Sequence, residues 1–145
     1  MAMNAKRVLI GGVVAGVVLN IIDFISNTYI VGERMKAAAD AFKPGLGEVM
    51  TTQSPWVYIV IDIVVGILLV WTYAAVRPRF GPGAGTAVIV ALLFWVLAAI
   101  FYSGYMMMGM MPKGLWWTFA IVGLINFVLA SVVGAWLYKE ETVAV

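Results

Sequence analysis

In the first long apolar stretch of the chain, Gly12, Gly16, Asn20, Asp23 and Asn27 follow one another at spacings of 4, 4, 3 and 4. In a helix that spacing puts all five on one face. Asp62 supplies a second carboxyl in the next apolar stretch, Ser103 a hydroxyl in the third and Asn126 an amide in the fourth. No Lys or Arg lies inside these stretches to neutralise the acids, and an Asp at mid-bilayer costs about 2.5 to 3.5 kcal/mol on insertion scales. The carboxyls therefore need protons, amide partners or a bound cation. Three readings are open: neutral or hydrogen-bonded glue between helices, an ion or proton relay, and an intramembrane aspartyl protease. Four short helices leave the last little room for a substrate helix.

The elements that must position these groups follow from composition. Of 145 residues, 64% are hydrophobic and 11% charged, against about 45 to 50% and about 25% in soluble domains. That excludes a soluble globular fold. Residues 8–30, 56–76, 86–108 and 115–138 are apolar runs, each long enough at about 1.5 Å per residue to cross a hydrocarbon core of about 30 Å. Lipid cannot satisfy backbone N–H and C=O groups, so such runs close their hydrogen bonds internally as helices. No alternating segment of the kind a membrane barrel needs is visible. Residues 8–30 are too long for a signal-peptide core, so the first span is expected to be retained.

The connections shape the bundle. After Gly32, the residues Met35, Ala38, Ala39 and Phe42 recur at i, i+3, i+4 and i+7, with Glu33, Arg34, Lys36, Asp40 and Lys43 around the other face. This predicts a short amphipathic helix lying on the membrane surface, stopped by Pro44 and Gly45. Residues 77–83 form a tight basic turn, and the connection around Pro112, Lys113 and Gly114 is shorter still. Short connections force antiparallel neighbours, so the expected fold is an all-α, up-down-up-down four-helix bundle forming a single transmembrane domain over residues 1–145.

Orientation follows from the cations. Lys6, Arg7, Arg77, Arg79 and Lys139 share one side, and Arg34, Lys36, Lys43 and Lys113 the other, where Glu33, Asp40 and Glu48 dilute them. The acid-free arginine pair marks the cytoplasmic side, which also holds both termini. Trp71 and Tyr73 before Arg77, and Trp136 and Tyr138 before Lys139, form an aromatic belt at that face.

Depth sharpens the pairing. Asn20 is 10 residues from Ile30 and Asn126 is 11 from Leu115, so both lie about 15 to 16 Å below the outer helix ends. Asn20 is expected to bond Asn126, with Asp23 and Asp62 one layer nearer the outside and Ser103 close to their level. The first span, with Gly12 and Gly16, is expected to pack on the fourth, whose small residues Gly123, Ala130 and Gly134 flank Asn126.

The chain has no Cys and no His. Thiolate and imidazole chemistry are thereby excluded, and no cofactor is expected. Met106, Met107, Met108, Met110 and Met111 crowd the outer end of the third span. Thioethers suit Cu(I), so Met106, Met107, Met110 and Met111 are a candidate copper site; flexible packing is the alternative. Trp116 and Trp117 read as an interfacial anchor, and Trp95, deep in the third span, as a packed core residue or a contact for a partner or ligand.

Gly11-Gly12-x-x-Ala15-Gly16 with Leu19, Asn20 and Asp23, then Tyr73-Ala-Ala-Val-Arg-Pro-Arg-Phe-Gly with Thr86-Ala87, and Gly134-Ala-Trp-Leu-Tyr138 together resemble a group of small four-span bacterial membrane proteins of uncharacterised activity. The resemblance implies a bacterial inner-membrane protein. The expected role is a non-enzymatic accessory or structural subunit of a larger membrane complex, respiratory or photosynthetic, with lipid and other membrane subunits as partners. Self-association is a further option, and nucleic acid is not an expected partner, because the cations sit beside the spans. The alternative is a small transporter or ion- or proton-conducting oligomer using Asp23 and Asp62.

Overall fold

The computed structural model describes residues 3–140, and every described regular element is helical. The helices are α1 (Ala5–Ser26), a π-helical turn (Asn27–Val31), α2 (Gly32–Phe42), α3 (Leu46–Thr51), α4 (Pro55–Phe80), α5 (Ala84–Met107) and α6 (Lys113–Leu137). Four helical stretches are long and apolar enough to cross a membrane, the first running unbroken through Ala5–Phe42. The chain is a multi-pass membrane protein.

Local chemistry starts and stops these helices. The Asn4 side chain accepts the Arg7 backbone N–H at 3.0 Å, capping α1. Pro55 opens α4, where its missing N–H costs nothing. The sequence pattern puts residues 77–83 in the turn; α4 instead runs on through Pro78 to Phe80, because a proline in the last turn forfeits only one ladder bond. The turn shrinks to three residues, with Gly81 and Gly83 at φ of 87° and 119°, angles open to glycine. Thr86 seals it by donating to the Gly81 carbonyl at 2.7 Å, and the Tyr73 hydroxyl accepts the Gly83 N–H at 3.0 Å.

The helix of the first span does not end at Ile30. At its end Asn27 donates its side-chain amide to the Asp23 carbonyl at 2.9 Å, and the Gly32 N–H reaches back five residues to the Asn27 carbonyl. The extra residue in this π turn rotates the next helix by about 100° at 3.6 residues per turn. Val31 is thereby turned fully inward, and α2 continues the helix with Met35 and Ala38 packed around Val31, Met111 and Leu115. Gly45, at φ 84°, then reverses the chain. The short helix α3 follows and is fastened when Asp40 accepts the Gly47 N–H at 2.8 Å.

Close packing centres on α1, which lies against α4 and α6. The crossing with α4 rests on three glycines. A Cβ on Gly12 would stand 2.5 Å from the Ile67 Cα, and one on Gly16 would stand 2.5 Å from the Ile63 Cα. Gly66 meets the backbone of Gly12 and Gly16 in return. In lipid, where apolar burial drives little association, such backbone approach supplies the dispersion energy that holds helices together. Residues Gly11 and Ala15 face Gly134 of α6, where a Cβ on Gly11 would lie 2.7 Å from the Gly134 carbonyl oxygen. The expectation that Gly12 and Gly16 seat the fourth span is therefore corrected: they seat α4, and their neighbours one step round the helix seat α6. Ala130 is fully buried in the common core, whereas a Cβ on Gly123 would lie 3.9 Å from Trp95 of α5.

Candidate functional site

Asp23 lies about two turns beyond Gly16 on α1 and faces α6, where Asn126 donates its side-chain amide to the carboxyl at 2.6 Å. Asn126 is 4% exposed, and its Oδ1 has no protein partner. Because an amide is planar and small, that acceptor oxygen lies in the same polar layer as the carboxyl. The pair serves either charge state of Asp23: an ionised carboxylate accepts from the amide nitrogen, and a protonated one donates to the amide oxygen once the amide turns over.

Asn20 does not pair with Asn126, as the depth count had it. It donates to the Gly16 carbonyl at 3.0 Å and across to the Ile59 carbonyl of α4 at 3.3 Å. The reason is azimuthal: positions 20 and 23 are separated by three residues, about 300° around a helix. One group therefore leans to α4 and the other to α6, although their depths differ by less than one turn. Asp62 sits one turn after Ile59 on the same helix, with its backbone carbonyl opposite Gly16.

Two predicted members stand apart. Asn27 is exposed and its side chain is spent on the backbone of its own helix. Ser103 donates to the Ala99 carbonyl at 2.7 Å, likewise within its helix. One residue was missed: Tyr102 of α5, which stacks on Phe119 of α6 with ring centroids 5.3 Å apart and lines an apolar cavity. Its place next to Ser103, at the depth of the acids, was the available signal. Trp95 is a core residue, donating to the Ala120 carbonyl at 2.7 Å.

The methionines do not gather as the Cu(I) reading requires. Met107 is 85% exposed, while Met111 is buried. Met110 and Met111 turn instead into an apolar cavity shared with Met35 and Met50, which lie far away in sequence.

At the opposite end of the bundle, Trp71 and Trp136 point outward, as a belt would, and their partner tyrosines point inward. The Tyr73 and Tyr138 rings meet edge to face at 6.0 Å, and Tyr138 lies under the Arg77 guanidinium, which pairs with Glu140 at 2.8 Å. This clasp joins the ends of α4 and α6.

The chain matches no protein-family model, no curated protein and no solved structure.

Proposed function

We propose that the protein is a non-enzymatic subunit of a larger membrane assembly, an up-down-up-down bundle in a bacterial inner membrane. Both termini face the cytoplasm, and α2 lies at the outer interface as an amphipathic continuation of the first span. The observation that carries this reading is how the interior polar groups are used. Asn126 ties α6 to α1, Asn20 ties α1 to α4, Trp95 ties α5 to α6, and Ser131 donates from α6 to the Ala87 carbonyl of α5 at 2.8 Å. Each of these bonds joins one helix to another, which is the work of interhelical glue. The outward face of α5 presents Leu92, Leu93, Val96, Leu97 and Ile100, all exposed, a surface suited to lipid or to the helices of a neighbouring subunit.

A second reading, conduction of an ion or proton, is favoured by one observation: the unpartnered Oδ1 of the buried Asn126, whose amide nitrogen bonds the Asp23 carboxyl. Two measurements separate the readings. Extraction in mild detergent, followed by sizing and mass spectrometry, is expected to recover heterologous membrane partners; a pure self-oligomer counts against the subunit reading. In proteoliposomes the parent is expected to show no cation- or pH-gradient-driven flux. A flux that disappears in Asp23→Asn/Asp62→Asn would replace the subunit reading with the transporter, because an amide keeps the hydrogen bond and removes the ionisable group.

A further inference from the structure

Between α2–α3 and α5 lies an apolar cavity of about 590 Å³, within the range of about 300 to 1,000 Å³ typical of ligand sites. Met35, Phe42 and Met50 wall it on one side, and Phe101, Tyr102 and Met110 on the other. The cavity exists because α2 packs on α3 and the π turn and makes no extended contact with α5. An empty apolar gap of this size would forfeit dispersion contacts along both walls. Its mouth is flanked by Phe42 and by Phe101, which is 76% exposed. Phe101 belongs to a membrane-length helix, so the mouth opens onto the bilayer rather than onto water.

We infer that this cavity holds one acyl chain of a phospholipid, which enters sideways from the bilayer past Phe42 and Phe101 and leaves its phosphate at Lys36 and Lys43. Three features select a flexible chain with an anionic head over a rigid ring. The walls carry four unbranched thioethers, Met35, Met50, Met110 and Met111, which adapt to a mobile chain. The hydroxyls of Tyr102 and Tyr105 have no hydrogen-bond partner among the described residues, and are free to donate to an ester carbonyl. Lys36 of α2 and Lys43, the residue that follows that helix, are the sequence neighbours of Met35 and Phe42, and the one ion pair among the described residues is Arg77 with Glu140 at the far end of the bundle. Asp40, the acid between the two lysines, is turned toward α3, where it accepts the Gly47 N–H.

The test uses the full chain in phosphatidylethanolamine vesicles carrying phosphatidylglycerol with a mid-chain diazirine. After illumination, adducts are mapped by peptide mass spectrometry. They are expected to concentrate on Met35, Phe42 and Met110 relative to Leu93 and Val96, which are exposed on the outward face of α5. Ala98→Phe and Ala38→Phe fill the cavity from opposite walls, and in either variant the cavity adducts are expected to fall to the level of Leu93 and Val96 while those two stay unchanged. Even labelling of all lipid-facing positions in the parent overturns the proposal without recourse to a variant. So does undiminished cavity labelling in a filled variant whose helical content and sizing profile match the parent. Lys36→Gln/Lys43→Gln is expected to reduce cavity labelling by the phosphatidylglycerol probe but not by a diacylglycerol bearing the same diazirine. Equal labelling of the parent by the two probes would overturn the assignment of a phospholipid.

Discussion

Asn126 of α6 donates to the carboxyl of Asp23 on α1 at 2.6 Å, across 103 residues of sequence and inside the membrane-spanning bundle. The energy of that bond is bounded on both sides. Interhelical hydrogen bonds in membranes average about 0.6 kcal/mol and reach about 1.7 kcal/mol, because unfolded helices in lipid also find partners. Leaving a buried partner unsatisfied costs about 1 to 3 kcal/mol.

Asn126→Leu should therefore destabilise the bundle by about 1 to 3 kcal/mol, since it strands the Asp23 carboxyl. A double-mutant cycle with Asp23→Leu should return a coupling of about 0.6 to 1.7 kcal/mol. Unfolding in mixed micelles by increasing detergent denaturant reads both. Additive single effects would mean that the two side chains do not interact.

The α1–α4 crossing should be the least forgiving place in the molecule. Gly66→Val drives a branched side chain into the Gly12 and Gly16 backbone, neither of which can move aside. The cost is expected to reach or exceed the roughly 1 to 3 kcal/mol of an overpacked core. Gly123→Ala, with 3.9 Å to the Trp95 ring, should be tolerated within about 0.5 kcal/mol. Comparable losses at the two glycines in the same unfolding assay would refute the assigned crossing.

Tyr73→Phe removes the acceptor for the Gly83 N–H while keeping the ring against Tyr138. A loss of about 1 kcal/mol is expected, the net worth of an ordinary hydrogen bond. Hydrogen exchange should quicken at Gly83 and nearby turn amides while the centre of α4 stays protected.

Topology can be read by labelling, because the chain has no native cysteine. A cysteine at position 79 should react with an impermeant reagent only from the cytoplasmic side, and cysteines at 43 and 113 only from outside. Labelling of position 79 from outside would invert the proposed orientation, and labelling of 43 and 113 from opposite sides would break the up-down order.

The membrane class and four spans were legible in the sequence, because about twenty apolar residues in a row have only one way to satisfy their backbone in lipid. Rise per residue is constant, so depth alone put Asn20 level with Asn126 and Asp23 one layer outward with Asp62, and the bond from Asn126 to Asp23 crosses those layers. Depth did not decide who bonds to whom. Partner choice depends on azimuth and on which helix stands at that azimuth, so Asn126 took Asp23 while Asn20 turned to the backbone of α4. The same limit hid the role of Gly66, the only glycine of its span, whose meaning appears once Gly12 and Gly16 lie opposite it. The π turn at residues 27–31 was out of reach for a different reason. Periodicity assumes 3.6 residues per turn throughout, and one inserted residue carried α2 onward from the span and opened the cavity between α2 and α5 that no stretch of sequence displays.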